Sequence, residues 1–300
     1  MSIDIQINNY INNLKNFNNF NILVLSGGSL KGIAYIGVIK ALNNLNILHN
    51  IDIFVGTSIG SIFSFLLCLG YSYYEMLDFI FFYNFKDLFS INLKNFYYNK
   101  GLNNGSILIK LLNKFLEKKN LKKNITFKEL YYKTGKLLFI NATNITKRQI
   151  ECFNFFETPD FEIIKAIRMS MSIPLIFSPI YYNGCYYVDG GIMNSFMYDY
   201  MIDYGFDKKN IIGVALFDDI KSTENTFLNY LMNIYYSTFS LSFDKIIKDI
   251  ICLNITDCCS FTTFNITTKQ KKKMIDIGYK ETIKYFENKF KNQNTAINNN

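Results

Sequence analysis

Gly56-Thr57-Ser58-Ile59-Gly60 is a G-x-S-x-G pentapeptide, the spacing that holds a nucleophilic serine in a sharp strand-to-helix turn. Small residues two positions either side let the chain turn tightly and let the helix pack close to the strand. The hydroxyl then projects from the sheet edge at a helix N-terminus, where the dipole and free N–H groups favour developing negative charge. A serine at such a place also serves as a helix cap, and the pentapeptide alone leaves both uses open.

A serine nucleophile needs a base. The chain has a single histidine, His49, just before the strand that leads into Ser58. At about 3.3 Å per residue, that strand holds the two side chains beyond hydrogen-bond reach. This argues against a Ser-His-Asp triad and against a His-rich metal site, and His49 reads as a loop residue. A carboxylate can take the role where burial raises its pKa toward working pH. Asp189, in Val188-Asp189-Gly190-Gly191, closes a short strand beside glycines that permit close backbone approach. An Asp-Gly pair is equally the signature of an Asx turn. The third element, Ser26-Gly27-Gly28-Ser29-Leu30-Lys31-Gly32, offers backbone N–H groups at a helix N-terminus to an oxyanion. It lacks the G-x-x-x-x-G-K-[ST] of a phosphate loop, and a dinucleotide fingerprint needs glycine where Ser29 stands.

The elements that must position these residues follow from the apolar pattern. Asn21 to Leu25 is a short apolar run that predicts a buried strand, and Ile33 to Leu45 continues at helical spacing after the glycine-rich turn. The unit repeats at once, with a strand over Ile51 to Val55, the G-x-S-x-G turn, and a buried helix over Ser61 to Leu69 stopped by Gly70. Two strand-turn-helix units in succession imply a parallel sheet. Tyr71 to Lys119 reads as helical with a break at residues 100–105. Lys136 to Ala142 and Gln149 to Phe155 read as paired strands, Asp160 to Met171 as a helix closed by Ile173-Pro174, and Ile211 to Phe217 as the last clear strand.

Composition bounds the reading. With 300 residues, 49% hydrophobic and 19% charged, the chain is neither a disordered tail nor a fibre or coiled coil. The net charge of +8 favours anionic partners. It is discounted here, because the bias toward Asn, Ile, Lys, Phe and Tyr is that of an AT-rich genome. Nucleic-acid binding is disfavoured, since arginine, the preferred base reader, occurs only at Arg148 and Arg168. The cysteines, Cys68, Cys152, Cys185, Cys252, Cys258 and Cys259, form no C-x-x-C pair and fit a reducing compartment. No basic start with an apolar run marks a secretory signal, and no apolar run approaches the ~18 residues that span a bilayer. Thr226 to Phe243 is the nearest, and its helical spacing predicts a core-facing amphipathic helix. Lys271-Lys272-Lys273 reads as a solvated helix end, with contact to anionic lipid the alternative.

Taken in order, Gly27-Gly28-Ser29-Leu30-Lys31-Gly32, Gly56-Thr57-Ser58-Ile59-Gly60 and Asp189-Gly190-Gly191 resemble the motifs of the patatin-like phospholipases. The resemblance extends along Lys31 to Leu42, along Ala166 to Pro174 and to Asn194, and covers about Asn21 to Phe217. Ser29 replaces the family's usual third glycine, and Phe196 stands where a proline is usual. If Ser29 must adopt a positive φ, the change costs about 1 kcal/mol or more.

The resemblance implies a three-layer α/β/α sandwich with a central, mostly parallel sheet, and a Ser-Asp dyad. Ser58 would be the nucleophile and Asp189 the base, with Gly27, Gly28 and Ser29 as the oxyanion hole and no metal or cofactor. It further implies phospholipase A-type hydrolysis of glycerophospholipid esters through an acyl-enzyme. The alternatives are an esterase or thioesterase on soluble substrates and a catalytically silent binding module. The expected organisation is an Asn-rich extension over 1–20, the patatin-like domain over 21–290 and a disordered tail over 291–300. The expected setting is intracellular, cytoplasmic or peripheral at a phospholipid surface, with no nucleic acid and the oligomeric state open.

Overall fold

A computed structural model of the chain describes residues 20–85, 88, 92–217, 249–256 and 266–298. The predicted helix over 226–243, the pair Cys258 and Cys259, and the Asn-rich extension before Phe20 lie outside them. Cys68, Cys152, Cys185 and Cys252 are free thiols.

The strands among the described residues are β1 (Ile22–Leu25), β2 (Ile53–Gly56), β3 (Gly101–Asn103), β4 (Leu137–Asn144), β5 (Gln149–Phe153), β6 (Leu175–Phe177), β7 (Ile180–Tyr182), β8 (Cys185–Asp189), β9 (Ile211–Phe217) and β10 (Ile251–Asn254). The helices are α1 (Tyr35–Asn44), α2 (Ile59–Cys68), α3 (Tyr73–Phe82), α4 (Leu93–Asn99), α5 (Ser106–Lys118), α6 (Phe127–Thr134), α7 (Ile163–Ser170), α8 (Tyr198–Asp203) and α9 (Thr268–Asn298). Eight strands form one sheet in the order β10-β9-β1-β2-β4-β8-β7, with β5 also on β4. The β10, β9, β1, β2 and β4 neighbours run parallel, while β5, β7 and β8 are joined antiparallel. β3 and β6 pair separately.

β1 and β2, at the centre of the sheet, are apolar and buried at every position because both faces are covered. Leu23, Leu25, Phe54, Leu138 and Ile140 pack on one side with α1, α2, α7 and α9. Ile22, Val24, Ile53, Val55 and Phe139 pack on the other, with Tyr198 and Met201 of α8. The sheet is thus a layer between two helical layers, the expected α/β/α architecture. α9 crosses α1 so closely that a Cβ on Gly37 would lie 1.9 Å from Ile275 O, and one on Gly278 would lie 2.0 Å from Ala34 O.

The structure departs from the sequence reading at several points. The segment after the glycine loop opens as a 3-10 turn over Ser29–Ala34 before α1 begins. β9 is not the last strand: β10 adds a further one, missed because its four residues, ICLN, carry only two inward apolar positions. α9 spans Thr268–Asn298. Lys271 is not part of a solvated face: it is buried, and its Nζ donates to Ile80 O at 2.8 Å.

Candidate active site

The site lies where β1 and β2 end. β2 stops at Gly56, and Ser58 sits between it and α2 with φ 51 and ψ −121, a region L-residues rarely enter. Such a conformation costs about 1–3 kcal/mol and persists only where the surroundings impose it. The surroundings here are backbone. A Cβ on Gly60 would lie 2.3 Å from Leu25 O, and one on Gly56 2.4 Å from Gly60 C, so both flanking glycines are required by contact. Ser58 N–H donates to Ser170 Oγ at 2.8 Å, and Ser61 Oγ donates to Ser58 O at 2.5 Å.

Asp189 reaches the same point from the antiparallel side. Short β8 pairs with the far end of β4 and stops with Asp189 opposite Ala142, while Ile140 of β4 pairs with Gly56. The last residue of β8 therefore lies level with the turn that follows β2. Ser58 Oγ donates to Asp189 Oδ2 at 2.7 Å, and both residues are buried. Asp189 Oδ1 accepts from Gly191 N–H at 2.8 Å, so the Asx turn and the serine contact use different oxygens of one carboxylate. His49 lies in a short 3-10 turn before β2, at the end of that strand away from Ser58.

The glycine loop is only partly available for an anion. Gly27 N–H donates to Ser195 O at 2.8 Å, so Gly27 is removed from the expected set of donors. Gly28 and Ser29 remain, at the N-terminus of the 3-10 turn, where N–H groups have no acceptor within the turn. Ser29 has φ 53, so the positive angle suspected at this non-glycine position is real. Lys31 is buried beneath the loop, and Gly32 faces Ile59 so closely that a Cβ would lie 2.4 Å from its Cγ1. A Cβ on Gly190 would lie 2.7 Å from Asn141 O.

Three further residues, Asn141, Ser170 and Arg168, hold the constellation together, and the sequence singles out none of them as a candidate site residue. Asn141, buried in the otherwise apolar middle of β4, accepts from Thr57 Oγ1 at 2.8 Å and donates to Asn194 O at 2.8 Å. It ties the serine turn to the loop after Asp189. Ser170 holds the Ser58 amide, as above. Arg168, also buried, donates to Ser172 Oγ at 2.6 Å and Ser178 O at 2.9 Å, while Ser172 O accepts from Asp189 N–H at 2.9 Å. Burial without a carboxylate partner pushes its guanidinium down to about 10.

Ser58 and Ser29 open onto a slot lined almost wholly by apolar side chains, among them Ile62, Leu66, Met76, Phe115 and Phe177. A hydroxyl activated by a carboxylate, beside free N–H groups and at the end of an apolar slot, suits attack on the carbonyl of a long-chain acyl group. Among the described residues no group of three His, Cys, Asp or Glu has the arrangement of a metal site, and no helix is long and apolar enough to cross a membrane.

Residues 23–202 match the model of the family described as Patatin-like phospholipase. A protein of Invertebrate iridescent virus 6 named "Probable lipid hydrolase 463L" is 41% identical over 197 residues, covering 64% of this chain and 66% of that protein. Among solved structures, VipD from Legionella pneumophila aligns with a TM-score of 0.63 at 18% identity, over 90% of this chain and 67% of its own. ExoU, in its complex with SpcU from Pseudomonas aeruginosa, aligns with a TM-score of 0.53 at 18% identity, over 90% of this chain and 51% of its own. At that identity the two structures show the fold alone, and the family model shows the family. The strained serine turn, the carboxylate that meets it and the glycine loop therefore lie within a matched family domain, and the chain belongs to the patatin-like phospholipases, a family of lipid hydrolases.

Proposed function

We propose that the protein is a phospholipase A-type acyl hydrolase that cleaves fatty-acyl esters of glycerophospholipids, with Ser58 as nucleophile and Asp189 as its base. The observation that carries this reading is the 2.7 Å hydrogen bond from Ser58 Oγ to Asp189 Oδ2, made where an apolar slot ends. In the first step Oδ2 takes the Ser58 proton as Oγ attacks the ester carbonyl, and the acyl chain lies in the slot. The N–H groups of Gly28 and Ser29, with the N-terminus of α2, receive the oxyanion. Collapse of the tetrahedral intermediate expels the lysolipid alkoxide, which takes the proton back from Asp189 and leaves an acyl-serine. Water, deprotonated by the same carboxylate, then attacks the acyl-serine, and its breakdown returns the proton to Ser58 Oγ as the fatty acid leaves.

The test is fatty-acid release from phosphatidylcholine vesicles in excess chelator, for wild type, Ser58→Ala and Asp189→Asn. Release by wild type is expected, with losses on the order of 10⁴-fold in each variant, the scale of removing a member of a serine catalytic set. Equal release by all three proteins, or equal inertness on vesicles and on short soluble esters, overturns the reading.

A further inference from the structure

We propose that the face built by α4, the turn after it and the β6–β8 edge is a docking surface for an anionic bilayer, which seats the mouth of the apolar slot against lipid; its purpose, though not its geometry, rests on the acyl-hydrolase reading above. Tyr97 and Tyr98 of α4 are 82% and 75% exposed, and Tyr181 and Leu175 on the neighbouring edge are 62% and 36% exposed. These residues share one surface. Gly101 pairs in register with Leu175, and Asn95 of α4 donates to Gly101 O at 2.6 Å and to Ser178 Oγ at 2.9 Å. Lys100 Nζ donates to Tyr186 OH at 3.2 Å, and the Tyr186 ring lies 4.9 Å from that of Tyr181.

Leu175 joins this face to the site. It stands between Ile173 and Phe177, both of which line the slot that ends at Ser58. It has φ 68, a conformation that is strained for a branched side chain, and this strain presents an apolar group to solvent. Both features are unfavourable in water and are offset where the leucine enters an apolar phase.

The charge of the face selects the partner. Residues 93–105 and 175–188, which supply it, contain no Asp or Glu, and they contain Lys94 and Lys100. Lys94 and Lys100 are exposed and belong to none of the ion pairs among the described residues. Tyrosines with an apolar ring and a polar tip, interleaved with lysines and no acids, match the headgroup layer of an anionic membrane.

The experiment is co-sedimentation of the full chain with vesicles of phosphatidylcholine, and of phosphatidylcholine with a minor fraction of phosphatidylglycerol. Turnover of a monomeric butyrate ester is measured in parallel as the control for folding and site integrity. Lys94→Gln/Lys100→Gln is expected to weaken binding to the anionic vesicles about 25-fold, about fivefold for each charge, and to leave binding to neutral vesicles unchanged. Tyr97→Ser/Tyr98→Ser/Leu175→Asn is expected to weaken binding to both vesicle types at least tenfold, asparagine being chosen because it tolerates a positive φ. Ester turnover should match wild type in both variants. Wild-type binding by both variants overturns the proposal. So does a wild type that ignores vesicles and sediments as a dimer that the variants dissociate, since the face is then an interface between copies. Loss of ester turnover in wild type with vesicle binding intact would instead sink the acyl-hydrolase reading and leave the docking face standing.

Discussion

Helix α2 and helix α6 both begin at a hydroxyl residue, and the two hydroxyls do opposite things. Thr126 caps α6: its side chain accepts from Glu129 N–H, and the Glu129 carboxylate accepts in return from Thr126 N–H, a reciprocal capping box. Ser72 and Glu75 repeat that arrangement at α3. Ser58 makes no side-chain cap on α2. Its φ of 51 turns the hydroxyl away from the helix amides and toward Asp189. At α3 and α6 the side chain serves the helix, whereas at α2 strain is stored so that the side chain is free for another partner. A serine before a helix is therefore ambiguous in sequence and becomes unambiguous through its backbone angle and the direction of its hydrogen bond.

The largest expected break in this contrast is Gly60→Ala. A methyl group there lies against Leu25 O, a backbone atom of a central strand that cannot move without disturbing β1. Overpacking of this kind costs about 3 kcal/mol. Chemical denaturation should show that loss, together with a fall in acyl-ester turnover because the turn shifts. An alanine tolerated without change in either would mean that the turn is not held by contact.

Next is Ser170→Ala, which leaves the buried Ser58 N–H without its acceptor. An unpartnered buried donor costs about 1–3 kcal/mol. Because this amide fixes the strained residue, kcat should fall while KM for a short soluble ester stays near wild type. A proportional rise in KM with kcat unchanged would assign Ser170 to substrate binding instead.

Much of this arrangement can be read in the chain. The glycines at positions 56 and 60 announce the tight turn because no side chain fits there, and the absence of histidine near Ser58 directs the search for a base to a carboxylate. What could not be read are the contacts made through space. Asn141 and Ser170 are remote in sequence from the residues they hold, and their only trace is a polar side chain where burial demands an apolar one. Gly27 shows the converse: the motif offers its N–H to an anion, while the fold gives that N–H to Ser195 O. β10 was missed because four residues with two inward positions fall below any periodicity that a sequence window can resolve.

Thr126→Ala sharpens the comparison from the other side. It removes the cap of α6 and should lower stability by about 1 kcal/mol. Turnover should be unchanged, since α6 lies away from the slot. Any loss of kcat beyond the unfolded fraction would show that the helix starts are not as separable as their geometry implies.

The smallest effect is a pH dependence confined to the same cap. Lys122, paired with Glu129 at 2.6 Å, and the Thr126 N–H hold the Glu129 carboxyl below its ordinary value of 4.5. A carboxyl whose folded pKa is depressed adds stability above its unfolded pKa and loses it as pH falls through the folded value. The pair is largely exposed and therefore screened, so the contribution is a few tenths of a kcal/mol. Glu129→Gln should accordingly be slightly less stable than wild type at neutral pH, and the gap should close as the pH falls from the unfolded carboxyl's value through the lower folded one, beneath which both side chains are uncharged. The same titration of Glu75→Gln should follow the pattern at α3, where burial raises the Glu75 carboxyl but the Ser72 N–H and Lys119 outweigh it and hold the group below its ordinary value. If the gap at Glu129 persisted unchanged at low pH, the box would be acting through shape and hydrogen bonding alone, and the charge would be incidental to how α6 begins.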